Sequence, residues 1–453
     1  MLAGPALAAP AKSTHTQPNI VVILADDAGF HDFGFQGSRE FRTPNIDALA
    51  RQGTVYSAAY ASTPFCSPSR AGLLTGRYTQ RFGYEFNLTQ APPKGVDPQF
   101  MGLDTGEKTA ADLFRAAGYT TYAVGKWHLG EQAQFDPRRR GFDHFYGFAG
   151  GGSTYFPEKI SPKIIQRDGV AERPAQYLTD QFGDEAVRDI EQSRDRPFFL
   201  YLAFNAVHAP MNARPEDEAL FAAITDPQRR RLAAMTWALD RAVGNVISAL
   251  KRTGVADNTL IVFTNDNGGD CIDIGASNAP LRGTKGTLLE GGVRVPMILK
   301  LPQGARPDAR VEAPVSLLDV LPTVLDAAAI PAPPTLDGRS LLSTPAAFDK
   351  RPLFWRYDNM AAMRLGRWKL LRYPDRPPEL YDIAADIGET HNLADAHPDQ
   401  TRSMLKQIFA WEGTVEHPRW HTGSFWSQED VRRYSADHVK AENDKAKGAL
   451  FGK

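Results

Sequence analysis

At 453 residues, the chain is too long for a single small hydrophobic core, so a large domain accompanied by a smaller one is expected. Its apolar content of 42% and charged content of 23% exclude a disordered or fibrous protein. The formal net charge of −1 excludes a global attraction to nucleic acid or to anionic membranes, so an anionic substrate requires a local cluster of positive groups. The longest apolar run, residues 20–25, is too short to cross a bilayer.

Residues 1–17 are rich in small side chains and contain A-x-A-like sites near Ala8 and Ala9. This composition favours the end of a secretory signal, and it leads us to expect a periplasmic or secreted protein. A remnant of an expression vector is the alternative. In either case we expect these residues to be disordered and to contribute nothing to the fold.

Apolar strands alternate with helices over most of the chain. The strands are predicted at residues 19–25, 120–124, 197–204, 259–264 and 295–301, and the helices at residues 44–52, 108–117, 178–192 and 230–252. This arrangement is typical of an α/β domain in which a large, mostly parallel sheet is sandwiched by helices.

Four of these strands are followed by charged or amide side chains. The groups are Asp26-Asp27, Lys126 to His128, Asn205 to His208, and Asp266-Asn267. Because ligands collect at the carboxyl ends of the strands in such sheets, we expect these groups to form one site.

A smaller domain is expected after the Pro-rich connector at residues 330–338. Its strands are predicted at residues 353–357, 361–373 and 379–383, and a helix is predicted near residues 398–411. We therefore divide the chain into a catalytic α/β domain at residues 18–345 and a small antiparallel α+β domain at residues 346–453. The charged tail beyond residue 427 is expected to be a surface helix or to be frayed.

The chain contains only two cysteines, Cys66 and Cys271, which excludes a disulfide framework and a paired-cysteine zinc site. The two could pair with each other, and a lone cysteine is often only a small buried residue. However, Cys66 begins the string CSPSRAGLLTG. This string resembles the C-x-P-S-R-x-x-x-L-T-G signature of the type I sulfatases, in which the cysteine is oxidised to formylglycine.

The resemblance implies that Cys66 becomes a catalytic aldehyde and that Arg70 holds it in place. The hydrated aldehyde is a gem-diol, one hydroxyl of which attacks sulfur. The second hydroxyl can then lose its proton and expel sulfate. Conversion of Cys66 requires a formylglycine-generating maturase as a partner.

Hard oxygen ligands follow two of the strands. Asp26 and Asp27 alone could be a helix cap, and Asp266 and Asn267 a turn. Their oxygens suit Ca²⁺ or Mg²⁺ rather than zinc. Beside the signature, they resemble the calcium site of the family, to which the modified Cys66 also belongs.

Basic groups lie in three further strings that resemble sulfatase motifs: GKWHLG with Lys126 and His128, NAVHAP with His208, and LRGTKG with Lys285. The resemblance implies that Lys126 contacts the aldehyde and the sulfate and that His128 takes up a proton when sulfate is released. It also implies that His208 and Lys285 bind sulfate and protonate the departing alcohol. The alternatives are a satisfied core histidine and a solvated lysine.

Other arginines are given different roles. We expect Arg282 and Arg294, which flank Lys285, to be structural. The basic run at residues 138–140 is expected to be a solvated face, with contact to an anionic polymer as the alternative.

The motifs extend from Asp26 to about residue 296, and the resemblance implies an alkaline-phosphatase-like fold for most of the chain. Segments at residues 81–87 and 141–148 resemble bacterial sulfatases that act on polysaccharides or glycosaminoglycans, so a sulfated carbohydrate is the expected substrate. The loop at residues 150–155 is a candidate sugar subsite. The rival hypotheses are a phosphodiester or phosphonate-ester hydrolase that uses the same aldehyde, and a non-catalytic binder of sulfated glycans with an unconverted Cys66.

Overall fold

The computed structural model of the protein describes residues 16–88, 92–161, 164–302, 309–344, 346–421 and Arg433. Its strands are β1 (Asn19–Ala25), β2 (Thr54–Tyr56), β3 (Ala59–Tyr60), β4 (Thr120–Lys126), β5 (His144–Phe148), β6 (Gln166–Arg167), β7 (Val170–Ala171), β8 (Phe198–Ala203), β9 (Thr259–Asn265), β10 (Arg294–Val295), β11 (Met297–Lys300), β12 (Ala309–Val311), β13 (Val315–Ser316), β14 (Leu353–Tyr357), β15 (Met360–Leu365), β16 (Trp368–Arg372) and β17 (Glu379–Asp382). Its helices are α1 (Pro44–Gln52), α2 (Cys66–Thr75), α3 (Ala110–Ala116), α4 (Leu178–Gln192), α5 (Pro215–Ala219), α6 (Pro227–Arg252), α7 (Glu290–Val293), α8 (Val320–Ala327), α9 (Ala346–Asp349) and α10 (Pro398–Glu412).

A ten-stranded mixed sheet forms the centre of the molecule, in the order β12-β2-β11-β9-β1-β8-β4-β5-β6-β7. The five strands from β9 to β5 run parallel to one another. The predicted large parallel sheet is therefore confirmed at its centre, and the antiparallel pairs lie toward the edges. The predicted strand at residues 295–301 is split between β10 and β11, and β11 runs antiparallel to β9.

Both faces of the central strands are buried. Alternate residues of β1 pack into two different hydrophobic clusters, Ile20 and Val22 on one face and Val21 and Ile23 on the other. Side chains of α2, α3 and α8 belong to the first cluster, and side chains of α4 and α6 belong to the second. This arrangement explains why the strands are continuously apolar, because each strand needs apolar side chains on both faces.

A four-stranded antiparallel sheet, β14-β15-β16-β17, follows in the C-terminal part. The segment predicted as one strand at residues 361–373 is the hairpin of β15 and β16, which turns at Gly366 (φ +55°). On one face Phe354 stacks on Trp411 of α10, with ring centroids 5.1 Å apart. On the other face Trp355 packs against Tyr60, so the small sheet shares a core with the large one.

The predicted fold is thus confirmed as a large helix-flanked sheet with a small antiparallel sheet and a packed helix. In the described part of the chain, no helix is both long enough and apolar enough to cross a membrane. The N-terminal segment predicted to be disordered lies outside the described residues except for residues 16 and 17, and the C-terminal tail does so except for Arg433.

Candidate active site

The four groups predicted to share a site do lie at one edge of the sheet, because β1, β4, β8 and β9 are neighbours and run parallel. The chain turns sharply at two of these strand ends. Asp27 has φ +62° and His128 has φ +57°, a left-handed conformation that non-glycine residues seldom adopt. His128 therefore leaves the extended conformation of β4, although the side chains of Lys126 and His128 both reach the site.

Cys66 lies at the first residue of α2, a helix whose ten residues are all buried. Its Sγ lies 3.6 Å from Asp26 Oδ1 and 3.9 Å from Asp27 Oδ1. Burial raises the pKa of the Cys66 thiol well above its ordinary value, so the unmodified thiol is neutral. A neutral buried thiol is a poor nucleophile, which argues against direct thiolate catalysis.

The Arg70 guanidinium is fully buried and is tied to two strand ends. Its Nε and Nη2 donate to Asp266 Oδ2 at 3.0 and 2.8 Å, and its Nη1 donates to the carbonyl oxygen of Lys126 at 3.0 Å. It also lies 3.4 Å from Asp26 Oδ2. Arg70 thus fixes α2, and with it Cys66, against β4 and β9.

Two lysines neutralise the aspartates that follow β1. Lys126 Nζ lies 2.6 Å from Asp26 Oδ2, and Lys285 Nζ lies 2.6 Å from Asp27 Oδ2. The pairing explains why the pKa of Asp27 is held below its usual range even though burial alone would raise it. Lys285 is therefore not the solvated loop lysine of the alternative interpretation.

The two histidines differ in their partners. His208 lies with Nδ1 2.7 Å from the carbonyl oxygen of Ala209 and with Nε2 3.6 Å from Asp27 Oδ2. Burial, followed by the charges of Lys126 and Lys285, lowers the pKa of His208 to about 4. Nε2 is the nitrogen directed into the site, and it is available for proton exchange.

His128 is more deeply buried. Burial, then the charges of Lys126 and Arg70, lowers its pKa well below the ordinary value. Its Nε2 lies 3.4 Å from the carbonyl oxygen of Leu88, and Nδ1 has no hydrogen-bond partner among the described residues. A neutral imidazole with an unoccupied nitrogen can accept a proton, so His128 is not a satisfied core histidine.

The acidic residues fit a divalent cation. Two buried oxygens, Asp266 Oδ1 and Asn267 Oδ1, have no partner in the described part of the chain. Burial, then the neighbouring Asp26 carboxylate, raises the pKa of Asp266 to about 6. A cation would satisfy both oxygens and reverse that shift.

Distance alone selects a different set of ligands. Asp26, Asp27, Cys66 and His208 offer ligand atoms that all lie within 4.8 Å of one another. We favour the oxygen donors of Asp26, Asp27, Asp266 and Asn267, because oxygen ligands suit Ca²⁺ and Mg²⁺, whereas a thiol and an imidazole suit softer metals such as zinc.

Some contacts at the site have no signal in the sequence. The Tyr155 hydroxyl lies 2.7 Å from the carbonyl oxygens of both Asn205 and His208. Arg433 donates to the carbonyl oxygen of Lys285 at 3.0 Å and is buried. Arg433, the described residue of the predicted tail, is helical and packs its guanidinium against the site loop, which agrees with a helix at the surface and not with fraying at this residue.

The remaining residues singled out in the sequence are accounted for by structural contacts. Arg282 donates to the carbonyl oxygen of Glu389 at 2.7 Å, and Arg294 pairs with Glu290 at 3.1 Å, in agreement with structural roles. Arg140 is buried and contacts three carbonyl oxygens, so the run at residues 138–140 is not simply a solvated face. Cys66 and Cys271 are both free, so they do not form a disulfide.

The sulfatase family model matches residues 18–330, and a model described as N-sulphoglucosamine sulphohydrolase, C-terminal, matches residues 284–410. N-acetylgalactosamine-6-sulfatase of Canis lupus familiaris is 35% identical over 382 residues, which cover 78% of this chain and 71% of the relative. Arylsulfatase J of Mus musculus is 30% identical over 466 residues, covering 88% and 76%.

A solved structure is similar over nearly the whole length. The crystal structure of Ps i-CgsB in complex with k-i-k-neocarrahexaose is 36% identical and has a TM-score of 0.85, covering 94% of this chain and 99% of that chain. The family match, the curated relatives and the fold agree. The chain therefore belongs to the sulfatase family and is a sulfuric ester hydrolase.

Proposed function

We propose that the protein hydrolyses a sulfate ester on a carbohydrate, using formylglycine formed from Cys66 and a divalent cation, Ca²⁺ or Mg²⁺. The observation that carries this proposal is the position of Cys66 at the buried start of α2, within 4 Å of two aspartates that are each paired with a lysine. The carbohydrate substrate is supported by the oligosaccharide in the Ps i-CgsB structure and by the name of the N-acetylgalactosamine-6-sulfatase relative.

The charged side chains of the site fit a bound sulfate. The ammonium groups of Lys126 and Lys285 are paired with the two aspartates next to Cys66, so they can bind the oxygens of a sulfate held beside residue 66. The N-terminus of α2 adds a partial positive charge there. When formed, the hydrated aldehyde supplies the hydroxyl nucleophile that attacks sulfur.

The two histidines divide the proton transfers. His208 directs Nε2 into the site, and the negative charge of a bound sulfate ester raises its low pKa, so that it can donate a proton to the departing alcohol oxygen. His128 remains neutral and accepts the proton of the second hydroxyl when sulfate leaves. Arg70 holds Cys66 in position relative to both histidines.

Asp26, Asp27, Asp266 and Asn267 would hold the cation, with the modified residue 66 as a further ligand. The cation would polarise a sulfate oxygen and favour ionisation of the attacking hydroxyl. The oxygens of Asp266 and Asn267 that find no partner among the described residues support this ligand set.

Three further features belong to the proposal. Residues 18–345 form the catalytic domain and residues 346–453 the small domain. A formylglycine-generating maturase converts Cys66. The protein works in the periplasm or outside the cell.

Peptide mass spectrometry across Cys66 tests the first step. A loss of about 18 Da is expected for conversion of the thiol to the aldehyde, and the peptide that contains Cys271 serves as an unchanged internal control. The converted enzyme is then given a panel of sulfated saccharides, aryl sulfates, phosphodiesters and phosphonate esters. Release of sulfate from a saccharide supports the proposal.

The outcomes separate the alternatives. Turnover of aryl sulfates alone would refute the carbohydrate substrate, and faster turnover of phosphodiesters or phosphonate esters would favour the hydrolase alternative. In His128→Ala, a sulfated protein of increased mass should accumulate after substrate is added. A protein that keeps the Cys66 thiol and binds sulfated glycans without ever gaining this mass would instead be a non-catalytic binder.

A further inference from the structure

Residues 149–155, which we call the glycine bridge, connect the two histidines of the site. At one end the His128 N–H donates to the carbonyl oxygen of Ala149 at 3.0 Å. At the other end the buried Tyr155 places its hydroxyl 2.7 Å from the carbonyl oxygen of His208. Residues 150–154 connect these anchors, and the first three of them are glycines.

The three glycines are not equivalent. A Cβ added at Gly151 would lie 2.6 Å from His128 Nε2, so the backbone there lies directly against the imidazole ring. A Cβ added at Gly152 would lie 3.6 Å from His208 Cε1, which is an ordinary van der Waals distance. A side chain is therefore excluded at Gly151 but has room at Gly152, where it would stand beside His208.

The exposure of the residues around the site indicates the direction in which the alcohol part of a bound substrate extends. Cys66, where the sulfur must be attacked, is only 1% exposed. The side chain of His208 is 25% exposed, and Gly152 beside it is exposed. The alcohol part of a sulfate ester bound at Cys66 therefore extends outward past His208 and Gly152.

We propose that the glycine bridge and His208 form adjoining parts of one wall of a pocket for the leaving alcohol, and that residue 152 determines how wide an alcohol this pocket admits. A side chain at residue 152 would stand beside His208 and narrow the pocket, so its absence favours a ring-sized alcohol such as a sugar. This inference rests on the proposed sulfate-ester hydrolysis at Cys66, and it adds a residue that determines which alcohols fit.

The test enlarges residue 152 and varies the size of the leaving group. Gly152→Ala and Gly152→Val are compared with the wild-type enzyme, each with Cys66 converted, on two aryl sulfates and one sulfated disaccharide. The two phenols are matched in acidity but have one ring and two fused rings, so that only size differs. We expect the ratio of kcat/KM for the large to the small aryl sulfate to fall about tenfold in Gly152→Val and less in Gly152→Ala. The disaccharide should follow the large aryl sulfate.

Gly413→Val is the matched control, because Gly413 is also exposed, follows α10, and has only ordinary contacts around an added Cβ. It should leave the ratio unchanged. Equal losses on all three substrates, or ratios within twofold of wild type in both Gly152 variants, would overturn the pocket. If Gly152→Val does not fold, the smaller Gly152→Ala decides. A converted wild-type enzyme that hydrolyses no sulfate ester would refute the proposed function itself, whereas an active enzyme with unchanged ratios would refute only the pocket.

Discussion

Replacing Lys369 with Met should destabilise the protein strongly, although Lys369 is remote in sequence from every motif of the site. Its ammonium is fully buried and lies 3.0 Å from Glu290 Oε1 and 2.9 Å from Glu389 Oε1. Lys369 belongs to β16 of the small sheet, whereas Glu290 begins α7, close to Lys285. The ion pairs therefore join the small sheet to the segment that carries a lysine of the site.

The expected magnitude follows from the burial of all three groups. Glu290 keeps Arg294 at 3.1 Å in the variant, but Glu389 loses the ammonium at 2.9 Å. Removing one partner of a buried ion pair costs about 3–5 kcal/mol, since the remaining charge is left without compensation. We expect a loss of this size in the free energy of unfolding at pH 8.

Urea unfolding of the wild-type protein and three variants checks this magnitude. Lys369→Met should lose about 3–5 kcal/mol, and adding Glu389→Gln should recover at least half of it by removing the uncompensated charge. Lys406→Met, an exposed lysine of α10, is the control and should change stability by less than about 0.5 kcal/mol. A loss below about 1 kcal/mol, or a double variant as unstable as Lys369→Met alone, would show that the network does not stabilise the fold in this way.

Three further outcomes are expected. Removal of divalent ions with a chelator should lower the midpoint of thermal unfolding, because Asp26 and Asp266 then repel each other within the buried site. Added Ca²⁺ should restore the midpoint. A midpoint that changes with neither the chelator nor Ca²⁺ would contradict the metal site. Gly151→Ala should lower kcat at least about tenfold by displacing the His128 ring, while Gly413→Ala should not; equal kcat values would contradict the close approach. Burial and the nearby Glu290 carboxylate raise the pKa of Glu389 from 4.5 to about 7, although the charge of Lys369 acts in the opposite direction. The folded state therefore binds more protons than the unfolded state between these two pH values. The free energy of unfolding of the wild-type protein should fall as the pH rises from 4.5 to 7. Unfolding of Glu389→Gln over the same pH range should show a flatter profile, and an unchanged slope would assign the dependence to another group.

The sequence predicted the centre of the fold and the position of the site because both follow from local patterns. Continuous apolar strands require burial on both faces, and parallel neighbours bring their carboxyl ends to one edge, so the residues after β1, β4, β8 and β9 had to meet. The direction of β11 was not predicted, because an apolar strand has the same composition in either direction. The segment before it offers only the four-residue α7 instead of a long crossover helix, and β11 pairs antiparallel to β9.

Contacts between residues far apart in the chain could not be predicted, because no sequence pattern marks them. The bond from Tyr155 to the carbonyl oxygen of His208 spans 53 positions, and the one from Arg433 to the carbonyl oxygen of Lys285 spans 148. A carbonyl oxygen is present at every residue, so neither partner is marked in the sequence. The close approach of Gly151 to His128 is similar, because a run of glycines alone is also typical of a loop.

The charges of the site also bear on which ester it accepts. Three carboxylates, of Asp26, Asp27 and Asp266, contact three permanent cations, of Arg70, Lys126 and Lys285. These six side chains balance one another, so a divalent cation would leave an excess of two positive charges. A sulfate monoester carries one negative charge, and an ionised hydroxyl nucleophile carries a second, which together match that excess. A phosphate monoester dianion would exceed it by one, and in a buried site an uncompensated charge is costly. The charge balance thus favours a monoanionic ester over a phosphate monoester, in agreement with a sulfatase. A phosphodiester or a phosphonate monoester is also a monoanion, so the substrate panel and not the charge separates these from a sulfate ester.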